Sequence, residues 1–127
     1  MNEKIIKPIP ITKENFSKFG NMITTEDINP LEINNGYAKR FDEIAKLDTS
    51  SENGQTTISI FSALKRSFPM KVDMMEKHPL GSQAFIPMKE TTFLVFVAPK
   101  EERLDLNKIE AFIIPPGIGV NLSLIHI

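Results

Sequence analysis

The reading of the chain turns on HPLGSQAFIPM, residues 78–88. His78 adjoins Pro79, Gly81 and Ser82 supply turn chemistry, and an apolar run follows that is interrupted at Pro87. Pro79 biases His78 toward extended backbone. Pro87 limits the strand expected over 82–87, because proline is confined to edges and ends of sheets. Two readings stay open: a plain turn between β-strands, or a polar site at the mouth of a β-barrel.

Further strands are expected on both sides. FLVFVAP, residues 93–99, is continuously apolar, which predicts a strand buried on both faces. IEAFII, 109–114, predicts another strand, and PPGIGVN, 115–121, a tight turn. Upstream, VDMMEKH (72–78) fits a strand. TTISIFSA (56–63) alternates, with Ile58 and Ile60 on one face and Thr57, Ser59 and Phe61 on the other. Residues 101–108 form a charged connection or short helical turn. Asn34-Asn35-Gly36 suits a turn with positive φ. MITT, 22–25, is a brief strand. Thr12 is placed to cap a short helix over 13–19 that carries Phe16 and Phe19, with Gly20 ending it. Residues 5–11, IIKPIPI, are extended. The sum is a mainly β domain, a barrel or sandwich with a short N-terminal helix.

Composition narrows the function classes. At 127 residues the chain suits one domain, 1–127, and 41 % hydrophobic residues suffice for a core rather than disorder. Fifteen basic against sixteen acidic side chains leave a net charge of -1, with no basic stripe for nucleic acid or membrane surfaces. The absence of cysteine excludes a disulfide scaffold, a cysteine-ligated zinc site and a thiol nucleophile. No apolar run approaches the ~20 residues needed to cross a bilayer, and residues 1–14 do not read as a signal peptide. These observations predict a cytoplasmic protein.

The chemistry-bearing residues are few. Glu76 and His78 stand two apart, so an extended backbone puts both on one side. Such a pair can move protons near neutral pH or ligate a divalent metal; equally, it can be solvated charge before a turn. Gln83, on the following strand, can orient a substrate or complete a coordination shell, or serve cross-strand hydrogen bonding. Asn34, Asn35 and Arg40 form a second polar group. Arg40 can clamp a carboxylate, although turn chemistry already accounts for the asparagines.

Five stretches, FSKFGNMI, INNGYAKRFDEIA, EKHPLGSQAFIPMK, FLVFVAP and IEAFIIPPGIGVN, occur in an order and spacing that resembles the ureidoglycolate lyases. The likeness runs from about Phe16 to Asn121 and is most specific at 78–88. It implies a cupin-like β-barrel, cleavage of (S)-ureidoglycolate to glyoxylate and urea in allantoin and purine catabolism, a homodimer, and nickel or another divalent metal. It marks His78 and Glu76 for proton transfer or metal ligation, with Gln83 as a further ligand. Asn34, Asn35, Arg40 and Gln83 are marked for substrate binding. Asp42 stands where relatives often carry histidine, and Ser62 where many carry arginine. After Asn121 the relatives continue into a Trp- and His-containing segment. Here residues 122–127 form an atypical tail, and His126 takes no role by resemblance. A domain incomplete at its C-terminus is therefore expected, and with it a rival to catalysis: a barrel that only binds a small carboxylate.

Overall fold

The computed structural model describes residues 4–123. Its N-terminal elements are a two-residue strand β1 (Ile9–Pro10), helix α1 (Lys13–Phe16) and strand β2 (Gly20–Ile23). The hairpin β3 (Leu31–Ile33) and β4 (Ala38–Arg40) follows, and then β5 (Gln83–Phe85), β6 (Phe93–Val97), β7 (Glu110–Ile114) and β8 (Gly119–Leu122). The strands form sheets ordered β1-β7-β6 and β2-β8-β5, plus the β3-β4 ribbon. The protein is mainly β with little helix, as expected, and the sheets do not close into a barrel among the described residues.

Local chemistry sets the N-terminal helix. Thr12 Oγ1 accepts from the Asn15 backbone N–H at 3.0 Å, and Asn15 Oδ1 accepts from the Thr12 N–H at 2.8 Å. This reciprocal cap satisfies two N–H groups that a helix start otherwise leaves open. The helix is shorter than expected. The Phe19 N–H already bonds the Phe16 carbonyl, and Gly20 opens β2 instead of merely ending α1. Gly20 has φ +154°, and a Cβ there would lie 1.8 Å from the Asn121 carbonyl oxygen. Only glycine allows β2 and β8 to approach this closely.

Phe16, Phe19 and Phe112 are fully buried at the centre of the core. The Phe112 ring meets Phe16 at 5.2 Å, nearly perpendicular, and Phe19 at 5.7 Å, geometries in which ring edges face ring faces. Val95 and Val97 of β6, Ile114 of β7 and Val120 and Leu122 of β8 complete this core.

Four expectations are corrected. Residues 56–63 form no strand, nor do 72–78, where Lys77 makes only an isolated bridge. A strand needs a partner whatever its own propensity. Here Ile58, Ile60, Phe61 and Leu64 lie exposed, with Phe61 reaching only the Phe85 ring at 6.5 Å. Residues 93–97 are buried on one face and half-buried on the other, not buried on both. The expected turn at 115–121 covers only its first half; Gly119 onward is the central strand of its sheet. Valine and leucine at 120 and 122 make the alternation that the Pro-Pro-Gly start obscures. The tail beyond Ser123 and His126 lie outside the described residues.

The exposed segment has a measurable cost in area. The chain exposes 10214 Å², about half as much again as the ~6,800 Å² expected of a compact 14.3 kDa monomer.

Candidate active site

The extended backbone before Pro79 brings Glu76 and His78 together: His78 Nε2 lies 3.1 Å from Glu76 Oε2. The imidazole is 28 % exposed and the carboxylate 69 %. A carboxylate only accepts, so the pair selects the tautomer with its proton on Nε2 and leaves Nδ1 as a lone-pair acceptor. That is the arrangement of a base oriented by an acid residue.

The remaining candidates fall elsewhere. Asn34, Asn35 and Gly36 take three successive positive φ values, 53°, 58° and 84°. They form the turn between β3 and β4, in a region asparagine tolerates and glycine favours. Arg40 sits at the end of β4, its Nε donating to Asp42 Oδ1 at 2.7 Å. Gln83 pairs with Leu122 and so shares that residue's face of the sheet. The hydrogen bond of His78 goes to Glu76 and not to Gln83. The structure thus unites Glu76 with His78, and Asn34 and Asn35 with Arg40 on one hairpin.

A strap, residues 42–48, crosses the face of the β2-β8-β5 sheet opposite the core. It is fastened to the 78–88 segment: the Ser82 N–H donates to the Asp48 carbonyl at 3.0 Å, and the Asp48 N–H to Ser82 Oγ at 2.7 Å. Hydrogen bonds from the Ser50 hydroxyl and backbone N–H hold the Asp48 carboxyl below its ordinary value, with a smaller contribution from Lys100. A lowered native value means the stabilisation is complete above the ordinary pKa, about 3.9, and is lost as pH falls through the lowered one. A carbon-13 titration of Asp48 is expected to give a midpoint below that of a solvated aspartate. A midpoint at or above it would mean that the Ser50 cap does not persist in solution.

Sequence reading missed Asn121, only 2 % exposed on β8. Its Nδ2 donates to the Lys46 carbonyl at 3.0 Å and to Asn21 Oδ1 at 3.3 Å, while its Oδ1 is buried and, among the described residues, accepts nothing. An unmet buried acceptor costs about 1–3 kcal/mol. A polar residue among Val120 and Leu122 was the available signal. Beside Asn21 lies a depression of about 340 Å³ whose walls include Lys13, Ser17, Asp42 and Glu43.

The resemblance implies a divalent metal. Among the described residues, no three His, Cys, Asp or Glu side chains gather into a group that could hold one. Glu76 and His78 supply two donors, fewer than the three protein ligands typical of catalytic zinc.

Fold and site define a mainly β protein with a carboxylate-oriented imidazole on an irregular segment beside its sheets. Comparison with known proteins narrows this. A family model described as Ureidoglycolate lyase matches residues 3–124. The chain is 40 % identical over 114 residues to a protein named ureidoglycolate lyase from Burkholderia mallei, spanning 90 % of this chain and 66 % of that one. It is 42 % identical over 118 residues to a namesake from Pseudomonas paraeruginosa, spanning 93 % and 70 %. A third, from Chelativorans sp., is 41 % identical over 114 residues, spanning 90 % and 68 %. The chain belongs to the ureidoglycolate lyase family. It spans about two thirds of the length of the curated relatives it matches.

Proposed function

We propose that the protein cleaves (S)-ureidoglycolate to glyoxylate and urea. The observation that carries this reading is the Glu76–His78 hydrogen bond, set within a chain that matches the family over residues 3–124. The substrate carries a hydroxyl and a ureido nitrogen on one carbon, beside a carboxylate. His78 Nδ1 takes the hydroxyl proton. The oxygen's electron pair then forms the aldehyde carbonyl of glyoxylate as the carbon–nitrogen bond breaks, and the departing urea nitrogen takes the proton from the His78 imidazolium. Glu76 holds the imidazole and stabilises its cationic form after proton uptake. Arg40 receives the substrate carboxylate, since its Asp42 contact engages Nε and leaves the terminal nitrogens to donate. Asn34 and Asn35 supply amides that orient the substrate, while the register sets Gln83 on the Leu122 face of the sheet. A divalent ion, nickel by resemblance, would find its first donors in Glu76 and His78, with Gln83 as a further candidate. No step is assigned to it.

In this reading the sheets are parts of a cupin-like barrel, and the protein works in the cytoplasm as a homodimer. Among the described residues no helix is long and apolar enough to cross a membrane. Exposed apolar side chains at Ile58, Ile60, Phe61, Leu64 and Phe68 support a second copy as their cover. Specific interfaces bury about 800 Å² per partner, well within the excess exposure. Sedimentation should give twice the chain mass; a monomer at micromolar concentration removes the dimer from the reading.

The test of function is direct. The chain, with and without added nickel, is expected to release glyoxylate and urea in equal amounts from (S)-ureidoglycolate. Carboxylate binding without release would instead favour a non-catalytic binding protein.

A further inference from the structure

Resting on the reading above, we propose that Asn121 is a substrate-binding residue whose Oδ1 accepts a hydrogen bond from the ureido N–H. Asn121 pairs with Asn21 on one side and Ala84 on the other, and so shares with them the face opposite Val120 and Leu122. The 42–48 strap covers that face, and the Lys46 carbonyl takes one amide proton of Asn121 at 3.0 Å. A backbone carbonyl can only accept, so the orientation of the Asn121 amide is fixed. Its oxygen is left buried and, among the described residues, without a donor.

An acceptor in that position selects its ligand by chemistry. A dicarboxylate such as oxalate offers only acceptors at neutral pH and cannot satisfy it. The ureido group carries N–H donors and can. The neighbouring depression agrees in sign. Asp42 and Glu43 line it, and two carboxylates repel a carboxylate but accept from N–H. The Lys13 ammonium on its wall already donates to the Glu26 carbonyl at 2.6 Å. Asn21 joins the two places, lining the depression while its Oδ1 accepts from Asn121 at 3.3 Å. Arg40 is joined to this lining through Asp42, whose Oδ1 accepts from its Nε at 2.7 Å. The substrate's two ends are thereby told apart: the ureido group toward Asn121, the carboxylate toward Arg40.

The test uses the unaltered chain with selectively labelled asparagine. Urea is added well below denaturing concentrations, and the side-chain carbonyl carbon of each asparagine is followed. The Asn121 signal is expected to shift and saturate, while exposed Asn107 drifts only linearly; oxalate should leave Asn121 unmoved. An Asn121 signal that ignores urea, or answers urea and oxalate equally, overturns the assignment and leaves a buried water as its partner. In a folded Asn121→Leu variant, inhibition by urea should weaken at least about tenfold while inhibition by oxalate holds. A merely structural asparagine would alter both or neither. Turnover without the urea response sinks only the role of Asn121. A urea response without turnover sinks the catalytic reading and leaves the urea site standing.

Discussion

Replacing His78 with alanine is expected to lower kcat/KM for (S)-ureidoglycolate by about 10²–10⁴-fold, the range a positioned general base contributes. The melting temperature should move by no more than about 2 °C, as for other substitutions outside the core. The two readouts are separable because of where the imidazole sits. It is partly exposed, and its one side-chain hydrogen bond goes to a largely exposed carboxylate. Removing it opens no core cavity and strands no buried charge. Glu76→Gln should retain more activity than His78→Ala, since an amide still occupies the carboxylate's place while failing to stabilise the imidazolium. A steep fall in melting temperature for His78→Ala, or unchanged turnover, would make the pair structural or incidental.

The largest expected effect on stability is at Phe112. The side chain is fully buried on the central strand β7, between Phe16 and Phe19. Phe112→Ala removes the ring that joins the N-terminal helix to the sheet. Deleting a buried phenylalanine costs about 3–5 kcal/mol, a large share of the ~5–15 kcal/mol that holds a typical domain folded. Urea denaturation should show the midpoint collapsing, and α1 should lose its order first. A loss below about 1 kcal/mol would mean that the three rings do not pack as a unit in solution.

How much of this was legible in the sequence depended on the range of each interaction. The Thr12 cap is settled by residues three apart and was readable. So were the strands at 93–97 and 110–114, where β-branched and aromatic residues are dense. The 56–63 segment carries the same signals, and they misled, because a ladder of hydrogen bonds depends on a distant partner. At 119–122 the error ran the other way: Pro-Pro-Gly spoke for a turn and masked a central strand. The Glu76–His78 proximity survived even though 72–78 is not a strand, since a period of two needs only an extended backbone. Asn121 was not legible as a site residue. Its interest lies in burial, and that is imposed by a strap some 75 residues away in sequence.

The uncovered 56–63 segment has a practical corollary. It holds no charge and no proline, is rich in strand formers, and presents its backbone without a ladder. Such windows template cross-β stacking when nothing shields them. Any chain whose segment is not covered by a second copy would therefore seed fibril growth in concentrated preparations. A single lysine on it, at Ile60, is the gatekeeper that should keep the solution clear.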